Sequence, residues 1–255
     1  MEKRLKNLRI YNAIVGIILF AQGVVMWTIS NKDAFAQITT SYLGKQGNIP
    51  GMPTPAYGVA FAQWQLGPIV ASFLLLSGLF LLGSAFVWRK KYEEQIQKGM
   101  NLFRWAEYSI TSSMMVVVIA ILCGIYDLST LILIFSLNAC MILFGWMMEI
   151  QNQTTKKVDW TAYLFGCFAG SMPWVVMGLY FYNALAAGGS AVPDFVYAIF
   201  WSLFIAFNVF SINMILQYKK VGKWKDYIYG EYAYITFSLV AKALLAWQVF
   251  SGTLR

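Results

Sequence analysis

Histidine is missing from all 255 residues. Its absence removes the commonest metal ligand and the usual general base. Charge is scarce as well: Asp, Glu, Lys and Arg make up 12% of the chain, against roughly 25% in a soluble domain. Acidic residues are the scarcer sign, 11 against 19 basic ones, for a net charge of +8. The basic residues sit in short clusters between apolar spans, so the excess does not form a nucleic-acid surface. Cysteine occurs only at Cys123, Cys140 and Cys167. All three lie in apolar stretches at no metal-ligand spacing and read as small buried hydrophobes. No nucleophile–base constellation is present, which argues against an enzyme. The basic segment 1–9 leads into an apolar span too long for a signal sequence, so no cleaved leader is expected.

What the chain has in abundance is apolar residues, 59% of the total. They gather into seven spans, at 10–29, 66–88, 102–125, 128–148, 160–184 (interrupted by Pro173), 195–218 and 232–251. Each approaches or exceeds the roughly 20 residues that cross a bilayer as a helix. The expected fold is an all-α seven-helix membrane bundle forming a single domain, 1–255. Loop charges orient it. Lys3, Arg4, Lys6, Arg9, Arg89, Lys90, Lys91, Lys98, Lys156, Lys157, Lys219, Lys220, Lys223 and Lys225 fall on one side. Lys32, Lys45 and Arg255 fall on the other. The positive-inside rule puts the N-terminus in the cytoplasm and the C-terminus outside a cell membrane.

Residues 30–65 form one long outer loop. The segment 36–43 (AQITTSYL) is rich in β-formers. Gly44-Lys45-Gln46-Gly47-Asn48 is turn material, the Pro50, Pro53 and Pro55 run stops regular structure, and 57–64 returns as a strand. A small extracellular β-hairpin follows, serving as a lid on the bundle or as a subunit contact. The linker 219–231 mixes Trp224, Tyr227 and Tyr229 with lysines. It suits a headgroup-level anchor or a site for a cytoplasmic partner.

One lysine, Lys242, lies well inside the last span, where a cation costs at least ~2.5–3.5 kcal/mol. The clearest acid within a span is Glu107, so the two form the natural pair. Counted from the starts of their spans, Glu107 is about 8 Å deep and Lys242 about 15 Å. An earlier start of the third helix, through the polar segment 92–100, would close that gap. Arg104 is close enough to the basic end to snorkel out, and Glu149 and Glu231 read as interfacial. Three readings of the pair stay open: a structural ion pair, a transport site, and a lysine that condenses with a carbonyl ligand. In the third, a protonated imine (Schiff base) on Lys242 takes Glu107 as counterion.

The surrounding residues suit an elongated, unsaturated ligand. Tyr108 follows Glu107. Met141, Ile142 and Gly145 lie on the fourth span, Trp174 follows Pro173, and Phe207 is on the sixth span. Ser109, Ser112, Ser113, Asn138, Asn208 and Ser238 supply small polar groups. Ser238 is one turn before Lys242, placed either to bond the imine or to bond back to its own helix.

Together these features carry a resemblance. The stretches FRWAEYSITSS (103–113), NACMILFGW (138–146), Pro173-Trp174, residues 216–219 with Gly222-Lys223-Trp224, and YITFSLVAKALLAWQVFSGT (234–253) resemble the heliorhodopsins, microbial-type retinal proteins of inverted membrane orientation. The likeness covers nearly the whole chain, the long outer loop included. It implies all-trans retinal on Lys242 as a protonated Schiff base, with Glu107 as counterion and Ser238 adjusting the imine. Tyr108, Ser112, Asn138, Met141, Ile142, Gly145, Trp174 and Phe207 would lie around the ligand. It further implies isomerisation to 13-cis, a slow photocycle and a homodimer in which the outer loop takes part. The chain departs from the family in one respect. Leu19 and Leu81 stand where members commonly carry histidines, leaving Ser77, Asn138, Ser112 or water to handle the imine proton.

The expected function is light sensing or photoregulation, with an unidentified cytoplasmic partner reading the output. Beyond Glu107 the third span continues through Val116, Val117 and Ile119, all apolar, whereas a pump needs a relay of titratable groups. Light-driven or light-gated ion transport, of protons for instance, is the alternative from another class. A light-dependent regulator of a partner enzyme is a third.

Overall fold

The computed structural model describes residues 1–31, 33–43, 55–186 and 193–253. The turn residues 44–48, Pro50 and Pro53, and the cations Lys32, Lys45 and Arg255, lie outside the described residues.

Among the described residues, seven helices are long and apolar enough to cross a membrane. They are α1 (Glu2–Ile29), α2 (Leu66–Leu82, continued to Val87 by a π-helical turn), α4 (Leu102–Leu122), α5 (Leu128–Gln151), α6 (Thr161–Ala186), α7 (Asp194–Tyr218) and α8 (Tyr227–Thr253). A short helix, α3 (Arg89–Gln97), lies between α2 and α4. Large apolar side chains such as Ile17, Leu133, Leu164, Phe168 and Ile205 are exposed on the outside of the bundle. Buried polar groups, among them Asn12, Ser77, Arg104, Glu107, Asn138 and Lys242, sit inside it. That inversion suits a lipid solvent, where apolar burial between helices contributes little and close packing and polar contacts hold them together.

The expected spans are all present, but several ends move. α1 begins at Glu2 and α8 at Tyr227, because polar first turns are free to remain helical at the membrane boundary. The third span stops at Leu122, short of the expected residue 125. Pro173 is buried within α6, and α6 runs through it unbroken. A proline costs one backbone hydrogen bond there, which neighbouring groups in a bundle can offset. The segment 92–100 is largely helical, but as α3 rather than as an extension of α4. Gly99, at φ 72°, breaks the path, and Asn101 then caps α4 by accepting a hydrogen bond from the Arg104 N–H at 3.1 Å. Asp127 caps α5 in the same way through Thr130 N at 2.9 Å.

Helix neighbours follow the order α7–α8–α1–α2–α4–α5–α6, with α4 also touching α7. Backbones of α1 and α2 approach closely because Gly78 has no Cβ. One placed there would lie 2.8 Å from Phe20 N and 2.9 Å from Gly16 O. The α6–α7 seam is built differently, from large rings. Trp174 lies edge-on to Phe200, Phe204 and Phe207, with ring centres 5.2–5.7 Å apart. Such bulk holds two backbones apart and leaves room for a cavity beside them.

Residues 30–65 do contain a hairpin. β1 (Phe35–Leu43) pairs antiparallel with β2 (Pro55–Gln65), from Phe35↔Gln65 to Leu43↔Pro55, with register irregularities after Ile38 and Thr40. Pro55 opens β2 instead of blocking it, since the first residue of a strand tolerates proline. Ala36 and Ile38 are buried, and Thr39 N donates to Tyr126 O at 2.9 Å, tying the hairpin to the α4–α5 turn. The cysteines depart from expectation. Cys123 is buried, but Cys140 and Cys167 are exposed.

Candidate functional site

Lys242 is 3% exposed, and its Nζ lies 3.0 Å from Glu107 Oε1. The ammonium donates to Ser238 Oγ at 2.5 Å. It therefore reaches back along α8 by about one turn, roughly 5.4 Å, and this closes the depth gap that an earlier start of the third helix would have closed. Ser238 bonds the lysine rather than its own backbone. The Tyr108 ring centre lies 4.9 Å from Nζ, within cation–π range, and Tyr108 Oη donates to Tyr234 O at 2.9 Å.

Glu107 Oε1 collects two further donors: Ser77 Oγ at 2.5 Å from α2 and Thr111 Oγ1 at 2.7 Å from α4. Thr111 was absent from the expected site, although its position one turn after Glu107 put it on the same helix face. Lys242, Ser77 and Thr111 thus all converge on one carboxylate oxygen.

Beside this pair lies an apolar cavity bounded by α4, α5, α6, α7 and α8. Of the residues named from sequence, Lys242, Ser238, Tyr108, Ser112, Met141, Ile142, Gly145 and Phe207 line it. Trp174 stands behind Phe207, at 5.6 Å between ring centres. Asn138 supports the wall through hydrogen bonds to Ser112 Oγ at 2.8 Å and Ser113 Oγ at 3.1 Å. Asn208 is exposed and bonds back to Phe204 O, so it takes no part. Ser109 likewise bonds back to Ala106 O. Trp105, Tyr163, Cys167, Phe210 and Tyr234 also line the cavity, unforeseen because aromatic residues are frequent along every span. Gly145 makes room for one of them: a Cβ there would lie 2.5 Å from the Trp105 ring.

A second, smaller cavity extends from Glu107 towards the basic end. Asn12, Leu81, Ser84, Tyr92 and Arg104 line it. Asn12 Nδ2 donates to Tyr92 Oη at 2.9 Å, and burial pushes the Tyr92 phenol up to about 12, so it stays neutral. Asn12 Oδ1 and Arg104 Nε, both buried, have no partner. An unspent acceptor and an unspent donor facing a polar cavity are the environment that ordered water fills. Leu19 is fully buried and Leu81 lines the cavity, so hydrocarbon occupies both positions.

The small cavity ends at a cluster that sequence reasoning misplaced. Arg104, Glu149 and Glu231 are 6%, 2% and 0% exposed, neither snorkelling nor interfacial. Arg104 is ion-paired to both glutamates. Glu149 also accepts from Trp105 Nε1 at 2.6 Å, Tyr227 Oη at 3.0 Å and Asn101 N at 3.0 Å. Asn101 Nδ2 donates to Glu231 at 2.7 Å. The guanidinium also lies 4.0 Å from the Tyr234 ring centre. Two carboxylates thus meet the N-terminus of α4, where the helix dipole favours negative charge. The misreading came from helix ends: α8 begins before Glu231 and α5 continues past Glu149, so both acids project inward.

The geometry thus comprises a buried amine, a multiply bonded carboxylate and an adjoining apolar cavity. No curated protein matches the chain. The family model for heliorhodopsin matches residues 8–254. A match over almost the full length places this chain in the heliorhodopsin family of retinal-binding, light-sensing membrane proteins.

Proposed function

We propose that Lys242 is the retinal attachment site, that Glu107 is the counterion, and that the protein signals light rather than pumping ions. The observation that carries this reading is the buried Lys242 Nζ, 3.0 Å from Glu107 Oε1, at the wall of an apolar cavity. The residues fit the group. The cavity is apolar, with Trp105, Tyr108, Phe207, Phe210 and Tyr234 in its walls and Lys242 and Ser238 as polar groups, and an amine is the one nucleophile that links a carbonyl as an imine. When bound, all-trans retinal supplies visible absorption, a protonated Schiff base to Lys242 and light-driven isomerisation to 13-cis.

The protein's own groups do the rest. Glu107 holds a negative charge beside the Lys242 nitrogen and so favours a proton there. Ser77 and Thr111 fix that carboxylate in direction. Ser238 orients the nitrogen. A proton leaving Lys242 has a small cavity on the basic side, where Asn12 Oδ1 is an unspent acceptor. With no histidine present, Ser77, Ser112, Asn138 or water handles that proton. On the opposite side α4 offers only buried Met115, Val116, Val117, Val118 and Ile119, which supports sensing over transport. By the positive-inside rule the basic end is cytoplasmic and the hairpin extracellular. Exposed Tyr42, Val59 and Phe61 on the hairpin support a homodimer contact there, and an unidentified partner reads the cytoplasmic face.

The test is an absorption spectrum of membranes expressed with all-trans retinal, before and after illumination with hydroxylamine. A visible band that bleaches to the oxime, and that Lys242→Ala lacks, is expected. A visible band retained in Lys242→Ala overturns the assignment. A light-dependent pH change in cells, abolished by an uncoupler, would favour transport instead.

A further inference from the structure

The basic end carries a cleft distinct from both cavities above. Four lysines line it: Lys98 after α3, Lys156 in the α5–α6 loop, and Lys220 and Lys225 in the α7–α8 linker. All four are exposed, and none belongs to a salt bridge among the described residues. No acidic side chain lines the cleft.

Most carboxylates on the neighbouring elements are engaged elsewhere, and Glu94, one turn before Lys98 on α3, is exposed and outside the cleft lining. Glu149 and Glu231 are held by Arg104. Asp226 pairs with Arg4. Asp159 accepts from Gln151 Nε2 at 2.7 Å and from Thr161 N at 2.8 Å, and the bonds from Thr161 hold its carboxyl below the usual range. Four like charges from three separate segments thus converge with nothing of opposite sign between them. Such an arrangement focuses a positive potential into a concave surface.

The floor supplies a second observation. Gln217 is 9% exposed, and its amide nitrogen has no hydrogen-bond partner. A buried donor left unspent calls for an acceptor. The walls are semi-rigid. Trp224 is fixed by its Nε1 donating to Asn213 Oδ1 at 2.7 Å, and Tyr227 by its bond to Glu149. A ligand that answers four ammonium groups and one amide N–H carries several acceptor oxygens and more than one negative charge.

We propose that this cleft is a binding site for a phosphate-bearing anion, either a soluble phosphate compound or the headgroup of an anionic lipid. The site does not depend on the chromophore, so failure of the retinal assignment would leave it standing.

The experiment uses the full chain in phosphatidylcholine nanodiscs, titrated with pyrophosphate by calorimetry at low salt. Three proteins are compared: the wild type, Lys220→Gln/Lys225→Gln, and a charge-matched Lys3→Gln/Lys6→Gln control on α1. Saturable binding is expected, weakened about tenfold or more by the cleft variant, changed less than twofold by the control, and reduced at high salt. A parallel titration in nanodiscs containing phosphatidic acid separates the sources. Loss of pyrophosphate binding there identifies a lipid headgroup as the occupant, and unchanged binding identifies a soluble ligand. Absence of saturable binding in phosphatidylcholine, or equal weakening in both variants, overturns the proposal.

Discussion

Lys242 Nζ and Glu107 Oε1 are 3.0 Å apart, on side chains only 4% and 5% exposed. Both charges are withdrawn from bulk solvent, so each depends on the other and on the hydroxyls of Ser77, Thr111 and Ser238. Glu107→Gln therefore removes the negative charge that favours a proton on the Lys242 nitrogen. The visible band should move to longer wavelength, or give way to a near-ultraviolet band of the unprotonated linkage at neutral pH. Absorption spectra across pH decide the point, and an unchanged spectrum would assign the counterion elsewhere.

Thr111→Val and Ser77→Ala each delete one donor to the same carboxylate oxygen. A hydrogen bond to a charged group contributes about 1.5–3 kcal/mol. Each variant should retain colour but shift its band in the direction of Glu107→Gln, and the double variant should shift further than either. Both bonds act on one atom, so the effects should not add.

Gly145→Val sets new atoms against the Trp105 ring, where a Cβ alone would lie at 2.5 Å. Trp105 must turn, and its Nε1 bond to Glu149 at 2.6 Å is lost. Overpacking of this kind costs about 1–3 kcal/mol. Lower thermal stability and a reduced pigment yield are expected, read by melting followed in the visible band.

Arg104→Gln leaves Glu149 and Glu231 buried without their cation. Loss of one partner from a buried ion pair costs about 3–5 kcal/mol. Melting should fall sharply. A second change, Glu149→Gln or Glu231→Gln, should recover much of the loss, because the uncompensated charge is then gone. Absence of recovery would mean that the arginine acts through packing on Trp105 and Tyr234 rather than through charge.

The residues most legible from sequence were those that break a strong rule. Lys242 and Glu107 stand out because charge is expensive inside an apolar span. Arg104, Glu149 and Glu231 were equally charged but lay near span ends, where a snorkelling side chain escapes at little cost. A difference of a few residues in helix ends reversed their environment. The lining residues split for another reason. Met141, Ile142, Gly145 and Phe207 reach the cavity, whereas Trp174 stands one ring behind it and Asn208 faces outward. An α-helix hydrophobic on every side carries no periodic mark of which face turns inward.

Composition and the spacing of apolar runs were enough, by themselves, to determine a seven-helix membrane bundle, the hairpin, and one amine and one acid inside it. Those are properties of single segments, settled by transfer cost and backbone geometry. Only the tertiary structure decided that Ser77 of α2 reaches Glu107, that Arg104 bridges two acids, and that four lysines and an unspent Gln217 amide face one cleft. Those relations join residues on different helices, or on loops up to 127 positions apart in the case of Lys98 and Lys225. They depend on how each helix is rotated and where it ends, which neighbouring helices impose and no single segment encodes.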